Sequence, residues 1–355
     1  MDRDGQQPSL DGRRVVVTGA GGFVGRATVA ALCAAGARVI AVLRSGHEAD
    51  HLRSLGAEVR RARLDALPPG LLDGADALVH LAYDVRAPAA ANLALFERVV
   101  AQAEAAGVGR IVHMSSAVVI DGWPDGDLSE TAPWGGPGGG GYRQAKIAME
   151  RRLLAGRLPA VILEPTIVYG PGSALWTDAP IARLRQGPVV LPDPPGLCPA
   201  VHVSDVARAV VLAVALPDPG RERFVISGPD LPDWASVYRG LARILGAGSV
   251  RLVPRAEVEA RLGPPGPERP DAPPALAARV SARARRLLGS RRFEALVARL
   301  RRLRGGGEVW PDRGLAALYA ARPRLDARAA RDRLGFVART GFAQGLDGIR
   351  DQYRL

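Results

Sequence analysis

The sequence predicts an α/β protein: a doubly wound parallel sheet followed by a smaller, mixed C-terminal lobe. Three observations carry this. Short apolar runs alternate with longer helical stretches through the first half of the chain, the pattern of parallel strands joined by crossover helices. A glycine-rich turn, Gly19 to Gly25, lies between the first run and the first helix. After Gly170 the alternation breaks into short helices and proline-rich turns, marking a differently built region.

The elements follow in order. Val15, Val16 and Val17 make a buried first strand over 14–18. A helix over 23–35 comes next, and Gly36 ends it. Strands are expected at 37–43, 57–63 and 77–81, then a helix over 89–106 closed by Gly107, and a fifth strand at 110–114. Residues 122–141, rich in Gly and Pro, read as a mobile loop, and a helix begins near Tyr142. A sixth strand is expected at 160–163. Further on, Ser204 is placed to cap a helix running to Leu216, 223–227 reads as a strand, and 312–355 reads as short terminal helices.

Bulk properties narrow the function. A chain of 355 residues can bury a large core and form two lobes. No apolar run is long enough to span a bilayer, and the polar start, with both charge signs, is not a secretory signal. Two cysteines, Cys33 and Cys198, cannot build a disulfide framework, so a cytoplasmic setting is expected. The net charge is +12, but residues 279–304 hold ten arginines against the single acid Glu294. Phe293 is the only aromatic there, which argues against nucleic acid and for a solvated arginine face or an acidic partner.

Gly19, Gly22 and Gly25, with Phe23 and Val24 between them, follow a strand and open a helix. Such a turn brings backbone close to a pyrophosphate, and the helix N-terminus offers N–H groups to the anion. This points to a dinucleotide. At the end of the second strand stands Arg44, with no acid until Glu48, and a guanidinium suits a 2′-phosphate; NADP(H) is therefore favoured over NAD(H). Asp65, after the third strand, could accept from an adenine amine or cap a turn. The implied organisation is a polar tail, 1–12, and a dinucleotide-binding domain, 13–170, with 200–228 packing back onto it. A substrate lobe, 171–199 and 229–355, includes an arginine-rich insert, 263–307.

Lys146 is the only lysine among 48 basic residues. In a chain that otherwise writes arginine, it suggests a position where a planar guanidinium cannot replace a compact ammonium. Tyr142 lies four residues earlier, on the same helix face. An ammonium beside a phenol lowers its pKa and suits it to proton exchange.

Taken together, these residues resemble the extended short-chain dehydrogenase/reductase superfamily, which is built on a Rossmann-type sheet. The resemblance runs through the glycine turn, Val79-His80-Leu81-Ala82, Asn92, Val112 to Ala117, Tyr142 with Lys146, Leu163 to Gly172, and Val201 to Ala207. It implies Tyr142 as general acid/base, Lys146 as holder of the nicotinamide ribose, and Ser116, rather than Ser115, as the hydroxyl orienting the substrate oxygen. Leu81, Ala82, Asn92, Pro165, Ile167 and Val168 would line the cofactor. Tyr83, Trp134, Tyr169 and Trp176 would contact a small-molecule substrate, with Trp123 beside them, and 135–141 could form a lid. The implied reaction is hydride transfer at a hydroxyl/carbonyl carbon of a sugar, sugar nucleotide or similar polyhydroxylated molecule. The alternatives are redox-neutral epimerisation of a nucleotide sugar with tightly bound NAD, or a dinucleotide sensor without turnover. A homodimer through the helices near Ala89 and Tyr142 is also implied.

The chain departs from the family's patterns in four places. Leu197-Cys198-Pro199-Ala200 replaces a diphosphate-clamping arginine, although Arg322 or Arg324 could substitute for it. Glu164 stands where arginine often precedes Pro165, and Ile167 where asparagine is common. Ala117-Val118-Val119 lacks the acid pair of the dehydratases, which argues against dehydration.

Overall fold

The computed structural model describes residues 8–46, 48–264 and 307–353. Its largest element is a seven-stranded, entirely parallel sheet. The strands are β1 (Arg14–Thr18), β2 (Arg38–Leu43), β3 (Glu58–Arg61), β4 (Ala77–His80) and β5 (Ile111–Met114), which alternate with helices α1 (Phe23–Ala34), α2 (Ala49–Ser54) and α3 (Ala89–Ala105). A short strand β6 (Asp127–Ser129) and helix α4 (Gly140–Leu154) precede β7 (Ala160–Pro165) and β8 (Ile167–Tyr169). Later come α5 (Ala179–Leu184), β9 (Val189–Asp193), β10 (Ala200–His202), α6 (Val203–Ala215), β11 (Arg221–Ile226), α7 (Trp234–Leu245) and β12 (Val250–Pro254).

The sheet order is β11-β7-β5-β4-β1-β2-β3. It reverses direction between β1 and β4, and the crevice at the carboxyl ends of those strands is where such sheets bind ligands. Two apolar layers cover the sheet. On one face α1 and α6 pack through Val29, Leu32, Val206 and Val210; on the other α3 and α4 pack through Phe96, Val99, Met149 and Leu153. Each such side chain contributes about 1.5–3 kcal/mol on burial. Arg152 on α4 reaches Glu97 at 3.0 Å and Glu104 at 2.9 Å on α3 and fixes that helix pair.

The described residues fall into two compact units. The first comprises the chain up to Gly170, Pro199–Leu231 and Pro323–Gly345; the second comprises Pro171–Cys198, Pro232–Arg322 and Leu346–Leu355. In the second unit β9 pairs in parallel with β12, and Trp234, Tyr238 and Tyr319 form a buried aromatic cluster. The arginine-rich stretch 279–304 lies outside the described residues.

Three expectations are corrected. Residues 323–345, read as part of the C-terminal lobe, belong to the first unit. A strand β13 (Arg324–Asp326) pairs with β6, Arg333 pairs with Glu222 at 2.9 Å, and Phe336 is buried in the core. The cap of α6 is His202, whose ring accepts from Ser204 N at 3.3 Å, because α6 starts at Val203, two residues earlier than the Ser204 reading requires. The loop 122–141 is not without structure: it contains β6, and Arg143 holds its far end through Val118, Val119 and Gly136 carbonyls. No helix among the described residues is long and apolar enough to cross a membrane.

Candidate active site

The glycine turn is shaped by contacts inside the protein. Gly19 has φ +73°, and a Cβ there would lie 2.7 Å from Ala82 N, at the exit of β4. A Cβ on Gly25 would meet Gly19 O at 2.1 Å. These two glycines let α1 start directly against the ends of β1 and β4. Gly22, exposed, is the N-cap of α1; no side chain caps it and no acid occupies the first turn. The N–H groups of Phe23, Val24 and Gly25 therefore stand at an open, positively polarised helix end, a setting that fits a dinucleotide pyrophosphate.

Around this turn the predicted residues take different places. Leu81 donates its N–H to Thr18 O at 3.1 Å and packs on the core. Asn92, buried, accepts from Asp84 N at 2.8 Å and donates to Asp84 O at 2.9 Å, so it clamps the loop after β4. Arg44 is mostly exposed and pairs with Asp84 at 3.3 Å. The Arg61 guanidinium lies against Gly46, two residues on. Asp65 is taken up by a two-point pair with Arg63 at 2.9 and 2.7 Å, which holds its carboxyl below the usual range.

The carboxyl ends of β4 and β5 bring the proton-transfer candidates together. Lys146, buried in α4, donates to Met114 O at 2.7 Å. Its ammonium lies 4.9 Å from the centre of the Tyr83 ring and 5.9 Å from that of Tyr142, and the two tyrosine rings meet edge to face. Ser116 is hydrogen-bonded to Tyr142, and its Oγ also accepts weakly from Val118 N at 3.4 Å. Ser115 faces the other way and is bonded to the buried Glu150. Ser116 is thus the hydroxyl that reaches the tyrosine.

Burial pushes the Lys146 ammonium down to about 8, with Glu150 opposing that shift. The expectation for Tyr142 is corrected. Although 41% of the residue is exposed, crowding of its phenol raises its pKa, the bond to Ser116 pulls it back, and Lys146 makes no large contribution. The physical reason is direction: the ammonium is turned to the Met114 carbonyl.

Beside Tyr142 lies a groove of about 530 Å³, lined by Val118, Ile120, Trp123, Gly136, Pro137 and Arg143 among others. Arg143 is not available to a ligand, since it is bonded to backbone carbonyls and paired with Asp121. Gly138, Gly139 and Gly140 all have positive φ, between +75° and +84°, which lets the chain turn sharply into α4 at the groove's rim.

Three expected substrate walls are engaged elsewhere. Trp134 is covered by Arg223, whose guanidinium lies 4.0 Å from the ring centre, and packs in a core cluster. Tyr169 is buried, donates to Gly341 O at 3.3 Å and stacks near Phe342. Trp176 packs against Trp234 within the second unit. Pro165 ends β7 in the core, while Ile167 and the half-buried Val168 pair with β10. Sequence reasoning missed Arg143, Glu150 and Arg223, because arginine and glutamate at helix and strand positions look like solvated surface. Among the described residues no group of three or more His, Cys, Asp or Glu is placed to hold a metal.

The NAD dependent epimerase/dehydratase family model matches residues 15–227. The chain is 28% identical to a 4-hydroxy-2-methyl-3-oxo-4-farnesyl-3,4-dihydroquinoline-1-oxide ketoreductase of Stigmatella aurantiaca, over 95% of this chain and 96% of that protein. It is also 28% identical to a 2-alkyl-3-oxoalkanoate reductase of Stenotrophomonas maltophilia, over 65% of this chain and 76% of that protein. Among solved structures, MoeE5 in complex with UDP-glucose and NAD superposes with a TM-score of 0.65, at 24% identity over 95% of this chain and 97% of that one.

Proposed function

The chain belongs to the NAD dependent epimerase/dehydratase family, within the extended short-chain dehydrogenase/reductase enzymes, and we propose that it is an NADP(H)-preferring ketoreductase for a carbonyl compound with an apolar portion. The observation that carries this reading is the Tyr142 phenol, bonded to Ser116, at the edge of a groove whose walls include Val118, Ile120, Trp123 and Pro137 as well as Asp121 and Arg143. A nicotinamide dinucleotide, when bound, supplies the hydride.

The chain's own residues would do the rest. The glycine turn and the open end of α1 would hold the pyrophosphate, and Arg44, with Arg61 nearby, would meet a 2′-phosphate. Lys146 spends one donor on Met114 O; an ammonium has three, and the others could hold ribose hydroxyls. Ser116 would orient the substrate oxygen. Tyr142, with its pKa raised, is protonated at neutral pH and would donate its proton to that oxygen as the carbonyl becomes an alcohol.

The farnesyl and alkyl groups in the names of the two relatives support this substrate class over a sugar or sugar nucleotide, and Val118, Trp123 and Pro137 give the groove apolar walls beside Asp121 and Arg143. So does the engagement of both arginines that could clamp a diphosphate: Arg324 pairs with Asp127, and Arg322 donates to Pro195 O. By the resemblance, the adjacent helices α3 and α4 would pair with a second copy of the chain.

The test combines two measurements. The dinucleotide released on denaturing the purified protein is identified, and NADPH consumption is followed with 3-oxoalkanoates of increasing length and with UDP-glucose. We expect little retained dinucleotide and turnover that improves with alkyl length. Tyr142→Phe should lower kcat/KM by about 100-fold or more while dinucleotide binding persists. Stoichiometric retained NAD(H), with UDP-glucose epimerised and no NADPH consumed, would establish the epimerase alternative instead.

A further inference from the structure

Behind Lys146 lies a buried polar group that the proposed reaction does not use. Glu150, one turn along α4, and Glu164, on β7, are both fully buried. Arg223 on β11 stands between them; its Nε is 3.0 Å from Glu150 Oε2 and is bonded to Glu164, and its side chain is only 8% exposed. Ser115 donates to the other oxygen of Glu150. Trp134 closes over the guanidinium. The register of β7 and β11 aligns Glu164 with Val225, so Glu164 and Arg223 share the sheet face that α4 covers.

Helix and strand positions packed this deeply are most cheaply filled by apolar side chains, and a buried ion set is weak support for stability by itself. The charge count suggests a purpose. With both carboxyls ionised the three groups would carry −1; with one proton between them they carry none, and what reaches the Lys146 ammonium is the share of negative charge left on Glu150. Two carboxyls around one guanidinium resist losing both protons, so one proton is shared between them. The other groups facing Lys146 are His80 on β4 and His113 on β5, which burial keeps neutral, and the rings of Tyr83 and Tyr142. Glu150 is therefore the anionic group built against this lysine.

We propose that Glu150 is a positioning residue for Lys146: anchored by Ser115 and Arg223, it keeps the ammonium charged and turned to the end of β5, while Glu164 sets how much negative charge Glu150 carries. This deepens the reductase reading and rests on it for its catalytic meaning, but the property itself is measurable without turnover.

Lys146 is the only lysine, so protein made with [13Cε]lysine has one lysine resonance, and its titration reports this ammonium directly. In Glu150→Gln the midpoint should fall by about one pH unit, a tenfold change in acid constant. In Glu164→Gln, which removes the competitor for the shared proton, it should rise. A midpoint unchanged in Glu150→Gln overturns the proposal. If that variant does not fold, an unchanged or lowered midpoint in Glu164→Gln overturns it equally. In the reductase assay, the alkaline limb of the pH–rate profile should move with the resonance. A wild-type protein that reduces no ketone would defeat the reductase reading and leave the titration as decisive as before.

Discussion

Lys146 Nζ lies 2.7 Å from the carbonyl oxygen of Met114, so the sole lysine of the chain is fixed to the end of β5. The ammonium is thereby held at the strand end, with the centre of the Tyr142 ring 5.9 Å away.

Lys146→Arg should lose most activity without unfolding. A guanidinium is wider and planar, and it cannot sit on one carbonyl in a pocket only 4% exposed. We expect kcat/KM to fall by about 100-fold with the far-ultraviolet circular dichroism unchanged; turnover near wild type would refute the assigned role.

Lys146→Met should stabilise the protein near neutral pH. Below pH 8 the lysine is protonated in both folded and unfolded chains, and the folded chain bears the full burial penalty. Between about 8 and 10.5 only the unfolded chain keeps the proton, so wild-type stability rises with pH across that window. The gap corresponds to about 3 kcal/mol at most. Denaturant melts of the two proteins at pH 7 and pH 10 should show the variant's advantage shrinking.

Gly25→Ala should damage the fold at the turn as well as the dinucleotide site. The new methyl would meet Gly19 O at 2.1 Å, a backbone atom that cannot move aside without shifting the α1 start. A loss of about 1–3 kcal/mol is expected, read as a lower Tm, together with lost dinucleotide binding by fluorescence titration.

Arg44→Asp should move preference from NADPH toward NADH. The side chain is 78% exposed and, among the described residues, held by Asp84, so the fold should tolerate the change. The ratio of kcat/KM values for the two cofactors checks this; an unchanged ratio would place the 2′-phosphate elsewhere, with Arg61 the next residue to vary.

The strands, the glycine turn and the Tyr142–Lys146 pair were legible because each is local. Short continuous apolar runs, a strand–turn–helix glycine spacing and an i, i+4 pair all lie within a few residues. The tryptophan walls were not. Trp134 and Tyr169 look like ligand-binding aromatics along the chain, yet Arg223 and Phe342, distant in sequence, claim them.

The sequence by itself determined the parallel sheet, the glycine turn between β1 and α1 and the placing of Tyr142 and Lys146 on one helix, since these depend on backbone preferences and short spacings. Only the tertiary structure decided which serine meets Tyr142, that Arg143 is consumed by carbonyls, and that Glu150, Glu164 and Arg223 gather behind Lys146. Those outcomes depend on strand order and register, which bring together side chains up to 73 positions apart, from Glu150 to Arg223, and no local pattern encodes such a meeting.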